Sequence, residues 1–245
     1  PFLNRAAQAS YPLGAGAAPI LLAATLDSSQ LPTLPMDLGT CAQPVQPAST
    51  QATWSAALAA GCSAPVAALG LTLGSPGVDD LYQNAGFYDL PDIRLPVDTS
   101  SAPPPNSDPA AAALGARLSP LNLAVAAAAI SAQGARPQPL LVLDMRLPDA
   151  AWQSLVKYQQ PQGVFSAQAA RDTMRLLADP LQLTWHTLAI AAQADANQAP
   201  VTWFVGGSSV GWQGSPLALA LVIEGDQPAL ALQIGAQVLQ AAMQP

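Results

Sequence analysis

The stretch from Asn4 to Leu26 constrains the fold of this 245-residue chain more than any other. It consists of a short polar lead-in, a Tyr-Pro-Leu-Gly turn at residues 11–14, and an apolar run with no charge on any face. A helix that is apolar all round is a buried helix, so we expect the chain to fold around this segment. Because proline lacks a backbone N–H and sits best in the first turn of a helix, Pro19 predicts that the regular helix begins near Ala17 or Ala18.

The start of this helix is a place suited to chemistry, yet it carries no reactive side chain. Free backbone N–H groups and the helix dipole at an N-terminus favour an anion or an oxyanion. The residues there are Ala15, Gly16, Ala17 and Ala18, which include no nucleophile, base or metal ligand. The start of this helix therefore has a defined position in the fold but carries no group that could react.

The lead-in to this helix resembles a known family. Asn4-Arg5-Ala6, Gln8 and Tyr11-Pro12-x-Gly14 are similar to the residues that precede the active-site helix of penicillin-binding protein transpeptidases. In that family the glycine is followed by Ser-x-x-Lys, in which the serine is acylated and the lysine helps to remove its proton. Those two places fall on Ala15 and Ala18, so the resemblance implies a motif that has kept its scaffold and lost both reactive groups.

The second motif of the family, Ser-x-Asn, is also altered. The segment Ala68–Gly74 resembles the family's apolar helix ending in Leu-Gly, and this alignment places Ser-x-Asn on Gly61, Cys62 and Ser63. The family's first serine, a proton relay, is thus Gly61, and the asparagine that holds substrate is Ser63. The resemblance therefore implies that the proton relay is missing.

The third motif, Lys-Thr-Gly, lies on the strand before the family's fourth-strand signature, which Trp203–Gly206 resembles. The best register places His186, Thr187 and Leu188 on this motif, so that histidine replaces the lysine and leucine the glycine. The single lysine of the chain, Lys157, falls in neither place where the family keeps a catalytic lysine. By this alignment His186 would face Ala15.

The order of elements and the resemblance together predict an α+β fold of the β-lactamase/transpeptidase type. We expect a single domain over residues 1–245, with a mostly helical lobe at about 30–140 and an antiparallel sheet with a C-terminal helix at about 180–243. Strands are expected at 183–193, 201–206 and 216–224, paired in sequence order, followed by a helix at 228–243. The family also has two strands ahead of Asn4, which we expect to be missing from this chain.

Local signals place several further elements. Short helices are predicted at 54–60, at 65–73 with an end at Gly74, and at 79–85, and a short strand at 140–143. Ser119 and Ser166 are good N-caps for helices at 120–132 and 167–177. The first of these, with Pro120 at its first position, resembles the Thr/Ser-Pro-Leu-x-x-Ala helix that braces the site in the family.

Composition excludes several classes of function. The net charge of −7 and an isoelectric point near 4.3 argue against nucleic-acid binding. No apolar run reaches the ~18 residues of a membrane span, because proline, glycine, glutamine or charge interrupts each one. The resemblance implies the extracytoplasmic face of a bacterial cell membrane, with anchoring through an N-terminal segment outside this chain.

The remaining candidate groups have plain structural interpretations. Ser63 could be a displaced nucleophile and Cys62 a reactive thiol, but no base or cation is near either one in sequence. We expect the carboxylate pairs Asp79/Asp80 and Asp89/Asp92 to be solvated surface charges. The glycine-rich run at 206–209 is expected to join two strands, and no cofactor or metal is expected.

Two cysteines, Cys41 and Cys62, are too few for a metal framework. The residues alone leave a disulfide and two free buried thiols as open alternatives. Some members of the family carry one cysteine upstream and another inside Ser-Cys-Asn, so the resemblance implies a bridge.

Three functions follow as hypotheses. The first is a catalytically inactive transpeptidase-like domain with a binding, scaffolding or regulatory role in cell-wall assembly, whose partners would be a peptidoglycan stem peptide or cell-wall synthesis proteins. The second is a divergent hydrolase that uses Ser63 or another serine with His186. The third is a structural remnant without a ligand.

Overall fold

The computed structural model describes residues 4–45, 52–91, 93, 96–97, 107–148, 151–155, 159–179, 183–193 and 197–244. Eight α-helices lie in the described part of the chain: α1 (Arg5–Gln8), α2 (Ala18–Asp27), α3 (Trp54–Ala59), α4 (Ser63–Asn84), α5 (Pro109–Gly115), α6 (Pro120–Ser131), α7 (Ala167–Leu176) and α8 (Pro228–Ala242). The strands found there are β1 (Tyr11–Pro12), β2 (Arg117–Leu118), β3 (Ala135–Arg136), β4 (Asp144–Met145), β5 (Gln153–Ser154), β6 (Gln162–Gly163), β7 (Thr184–Ala191), β8 (Val201–Ser208) and β9 (Ala218–Glu224).

Helix α2 is the buried centre that the apolar run predicts. A 3-10 helix at Gly14–Ala17 leads directly into it, and α2 begins at Ala18 with Pro19 in its first turn. Its side chains from Ala18 to Ala23 are all buried, and it packs against α4, α6 and α7. The predicted start of this helix is therefore confirmed.

The main sheet has three antiparallel strands in the order β7-β8-β9, which confirms the predicted pairing in sequence order. With the helices on both of its faces, this confirms the predicted α+β architecture. Strand β8 runs to Ser208, so the expectation that residues 206–209 form a loop is wrong for its first three residues. Gly206 and Gly207 are strand residues because they pair with His186 and Trp185 of β7. Both positions need glycine, since a Cβ on Gly206 would lie 2.6 Å from the carbonyl oxygen of Trp185, and one on Gly207 would overlap that of Leu217.

The two faces of β7 contact different parts of the protein. Trp185, Thr187 and Ala189 point toward the 3-10 helix, α3 and α6. Leu188 and Ile190 point the other way, toward α8 and Phe204. This alternation follows from the period of two along a strand, and it decides which side chains can meet the start of α2.

The helical part around α4 follows the predicted elements closely. Helix α3 ends at Ala59, and α4 is kinked at Gly74, where φ is 71° and ψ is 162°. The predicted helix end at Gly74 is thus a break between two helical segments. Ser119 and Ser166 cap α6 and α7, each accepting a hydrogen bond from a backbone N–H three residues later, as predicted.

The short strands β3 to β6 form two antiparallel pairs that the sequence does not predict. Strand β3 pairs with β6, and β4 pairs with β5. The predicted strand at 140–143 is wrong, because the strand is at Asp144–Met145 and residues 140–143 contain none. The apolar side chains of Leu141, Val142 and Leu143 are exposed, so no packed layer holds this run in an extended, paired form.

Asn122 on α6 links three carbonyl groups of the neighbouring turn. Its side-chain amide donates to the carbonyl oxygens of Gly86 at 3.3 Å, Phe87 at 3.1 Å and Asp89 at 2.8 Å, and its Oδ1 accepts from the Ser119 hydroxyl at 2.8 Å. The residue is fully buried. The amide therefore fixes the Gly86–Asp89 turn to α6.

We expect Asn122→Ala to lower the free energy of unfolding by about 2–3 kcal/mol, since buried carbonyl groups would lose their donor. Urea denaturation measures the change. The matched control is Gln168→Ala, which removes an amide that bonds to Asp172 at the surface and should cost less than about 0.5 kcal/mol. Equal effects of the two substitutions would contradict this role for Asn122.

No helix in the described residues is long and apolar enough to cross a membrane.

Candidate functional site

The segments aligned with the family motifs meet at one place in the fold. The 3-10 helix that carries Ala15 packs on β7, where a Cβ on Gly14 would lie 2.9 Å from the Cβ of Ala191. The turn between α3 and α4 packs beside it, and a Cβ on Gly61 would overlap the carbonyl oxygen of Leu188. The structure therefore brings the first, second and third motif segments together, as the alignment implies.

This meeting point is packed rather than open. Ala15 is 3% exposed and Ala18 is 0% exposed, and Gly61 and Thr187 are also buried. The Thr187 hydroxyl donates to the carbonyl oxygen of Leu58 at 2.5 Å, which ties β7 to the end of α3. Backbone and methyl groups thus fill the space where reactive side chains would have to lie.

His186 does not belong to this meeting point, so the expectation that it faces Ala15 is wrong. Its ring stacks on Phe204, with centroids 5.6 Å apart and planes at 12°, on the face of the sheet that packs against α8. The cause is strand alternation: the neighbours Trp185 and Thr187 take the other face. Burial lowers the pKa of His186, and the carboxylate of Asp179 opposes this shift.

Ser63 is part of a different contact. Its Oγ accepts a hydrogen bond from the backbone N–H of Thr40 at 3.1 Å. It therefore bonds to residues 38–43, here called the latch segment, while the ring of His186 packs on Phe204. The structure does not join Ser63 and His186 into a pair that could act as nucleophile and base.

Cys41 and Cys62 form a disulfide, with Cα atoms 3.9 Å apart. The bridge that the resemblance implies is therefore present. It joins the latch segment to the residue just before α4. Cys62 is bonded to Cys41 and therefore has no free thiol, so the reactive thiol considered for this position is not present in this structure.

Comparisons with known proteins find relatives that match nearly the whole chain. No family model matches the chain. The peptidoglycan D,D-transpeptidase PbpA of Mycolicibacterium smegmatis is 28% identical, over 99% of this chain and 57% of its own length. The penicillin G acyl-enzyme complex of penicillin-binding protein A from Mycobacterium tuberculosis matches with a TM-score of 0.79 at 24% identity, over 100% of this chain and 63% of that one.

A second solved structure is also similar to this chain. Penicillin-binding protein 3 of M. tuberculosis, complexed with aztreonam, matches with a TM-score of 0.78 at 15% identity, over 99% of this chain and 65% of that one. The chain has the fold of a penicillin-binding protein transpeptidase domain. The resemblance predicted from the motifs is confirmed, and the chain spans between 57% and 65% of the length of these three relatives.

Within this transpeptidase fold, the sequence did not predict that the latch segment packs against the turn between α3 and α4. The latch segment lies in a region that the sequence assigns only to the mostly helical lobe, yet its backbone pairs with residues 60–64. The signals that could have found it are Gly39 and Gly61, whose positive φ angles of 67° and 71° accompany close approaches of neighbouring atoms. Leu58 gave no signal, because it contributes a carbonyl oxygen rather than its side chain.

The other charged candidates of the transpeptidase-like domain divide into three cases. Asp79 and Asp80 are exposed, as expected. Asp89 is not simply solvated, because it forms an ion pair with Arg136 at 2.6 Å beside a cavity of about 350 Å³. Asp92 and Lys157 lie outside the described residues, and within the described part no cluster of three metal-ligating side chains occurs.

The environment of His186 predicts an acid-sensitive stability. The imidazole titrates near 6.5 in the unfolded chain and at a lower pH in the folded one, so the unfolded state binds the proton first. Stability is therefore full above pH 6.5 and falls as the pH drops from 6.5 toward the folded pKa. The difference in unfolding free energy between the native chain and His186→Phe should change with pH in this window and become constant above about pH 7.5. Parallel pH profiles for the two proteins would contradict the assignment.

Proposed function

We propose that this chain is a catalytically inactive transpeptidase-like domain that works in cell-wall assembly by binding, as a scaffold or regulatory subunit. The observation that carries the proposal is the buried methyl group of Ala15 at the place of the family's acylated serine. An acyl-enzyme reaction needs a nucleophile, a base and donors for the oxyanion. A methyl group supplies none of these.

The neighbouring positions support the same conclusion. Ala18 stands where the lysine would activate the serine, Gly61 stands where a second serine would relay the proton, and β7 carries no lysine. Removing one member of such a catalytic unit costs several powers of ten in rate. With all of them replaced, the reaction has no route through this site.

The proposed place of action is the extracytoplasmic face of a bacterial cell membrane. The disulfide between Cys41 and Cys62 supports this, since such bonds persist in oxidising compartments. Membrane attachment would come through a segment outside this chain. The proposed partners are a peptidoglycan stem peptide or proteins of cell-wall synthesis.

The test is covalent capture by penicillin G, which opens on the same serine that attacks a peptide. Intact-protein mass spectrometry after incubation with a large excess of penicillin G should show no added drug mass. Penicillin-binding protein A of M. tuberculosis, which forms a penicillin G acyl-enzyme, is the positive control. An adduct that disappears in a single Ser→Ala variant would overturn the proposal and identify the serine used. If that serine were Ser63, the hydrolase hypothesis would replace it.

A second measurement addresses the binding role. We expect a peptidoglycan stem peptide or a cell-wall synthesis protein to raise the thermal midpoint of the domain, because a ligand that binds only the folded state stabilises it. A scrambled peptide of the same composition is the control. No shift with any of these partners would favour the structural remnant over the scaffold.

A further inference from the structure

We propose that the Cys41–Cys62 disulfide is a thiol–disulfide exchange site, attacked at Cys41 by a dithiol reductant, and that its reduction releases the latch segment from the α3–α4 turn. The proposal does not depend on whether the domain is catalytic. It rests on the unequal exposure of the two cysteine residues and on the hydrogen bonds between the segments that the disulfide joins.

The two halves of the disulfide differ in access. Cys41 is half-buried and lines an open hollow of about 430 Å³, together with Leu38, Gly39 and residues 42–45. Cys62 is fully buried against Ala57 and Ala60. Because exchange requires an attacking thiolate to reach one sulfur, access selects Cys41 as the sulfur attacked and Cys62 as the leaving group.

The disulfide holds the latch segment next to the first turn of α4, which hydrogen-bonds to it. The backbone N–H groups of Ser63 and Ala64 donate to the carbonyl oxygens of Thr40 at 2.9 Å and Leu38 at 3.2 Å. Cys62 is the N-cap residue of α4 and makes no side-chain capping hydrogen bond. The latch segment therefore supplies the cap that this helix lacks.

The same segment also steadies the turn that covers β7. The N–H of Gln43 donates to the carbonyl oxygen of Ala60 at 3.1 Å, and the next residue along that turn, Gly61, lies against Leu188. Ala42 packs with Leu188 and Phe204 on the far side of the strand. Release of the latch segment would therefore loosen both the cap of α4 and the cover of the β7 edge.

The exchange balances in two steps. A thiolate of the dithiol attacks the Cys41 sulfur, forms a mixed disulfide there and expels Cys62 as a thiolate, which takes up a proton. The second thiol of the dithiol then attacks the dithiol's other sulfur, which is bonded to Cys41 in the mixed disulfide, and expels Cys41 as a thiolate that takes up a proton. The two protein cysteines are reduced and the dithiol is oxidised to a disulfide.

The first experiment identifies the sulfur attacked. The full chain is incubated with glutathione, free thiols are alkylated with iodoacetamide, and the protein is cut with chymotrypsin, which separates the cysteines at Trp54. We expect glutathione on the Cys41 peptide and the alkyl group on the Cys62 peptide. Glutathione on Cys62, or modification of both only after global unfolding, would overturn the proposal.

The second experiment follows the latch segment itself by hydrogen exchange. After reduction with dithiothreitol, the amides of Gln43, Ser63 and Ala64 should lose their protection against exchange, because the segment that holds them is no longer covalently attached. Amides at the centre of β8 should keep their protection. A Cys41→Ala/Cys62→Ala variant should show the same pattern without reductant. Unchanged exchange at the three amides, or equal acceleration in β8, would overturn the proposal.

Discussion

The substitution Gly61→Ser, which would introduce the residue type that the alignment expects at this position, should destabilise the domain by about 3 kcal/mol. Gly61 has a φ of 71°, a conformation that costs a residue with a Cβ about 1–2 kcal/mol. Its added Cβ would also overlap the carbonyl oxygen of Leu188 and lie 3.2 Å from the Cα of Ala189. Both of these are backbone atoms of β7, which is hydrogen-bonded to β8, so neither can move without disturbing the sheet.

Urea denaturation of Gly61→Ser measures this effect, and Gly74→Ser is the matched control. Gly74 has the same φ of 71°, but its nearest neighbour, an atom of Pro76, would lie 4.0 Å from an added Cβ. The control therefore adds a Cβ at a positive φ without the collision. If the two substitutions cost the same, the contact between Gly61 and β7 is not close-packed. If Gly61→Ser were stabilising, the closed geometry described for the site would be wrong.

Removing the indole of Trp203 should have the largest effect of any single substitution we consider, about 4 kcal/mol. Trp203 is 0% exposed at the middle of β8, and its ring meets Tyr11 edge-on, with centroids 6.1 Å apart. Its Nε1 donates to the carbonyl oxygen of Pro12 at 2.8 Å. Trp203→Ala would therefore leave a cavity in the core and free the turn that leads into the 3-10 helix.

The thermal midpoint and the urea midpoint of Trp203→Ala should both fall. Trp152→Ala is the matched control, because Trp152 is 68% exposed and its loss should change stability by less than about 0.5 kcal/mol. Trp203→Phe separates the two contributions, since it keeps most of the packing and loses only the hydrogen bond to Pro12. Equal midpoints for Trp203→Ala and Trp152→Ala would contradict the described position of the β8 indole.

Features that local chemistry decides could be predicted from the sequence. Pro19 fixed the start of α2, Ser119 and Ser166 marked helix starts, and three apolar runs gave β7, β8 and β9 in the right order. Each of these signals depends on residues within one or two turns of the chain. The fold followed because such signals agree with one another along the transpeptidase resemblance.

Features that depend on contacts between residues far apart in the sequence could not be predicted. The motif alignment gave His186 a position in the third motif. A strand presents successive side chains to opposite faces of the sheet, so a position in the sequence does not decide which face the His186 ring occupies. The ion pair of Asp89 with Arg136 joins residues 47 positions apart, and the hydroxyl of Thr187 bonds to a carbonyl 129 positions away. Residue types alone contain no signal for either contact.

The contact between Gly61 and β7 also limits the routes by which such a domain could change over time. Since a side chain at this position collides with the backbone of Leu188, substitutions that shift the turn or the strand would have to come first. Under the proposed function, those earlier substitutions would bring no catalytic benefit, because Ala15 and Ala18 carry no reactive groups. A catalytic site would therefore be hard to build here one residue at a time.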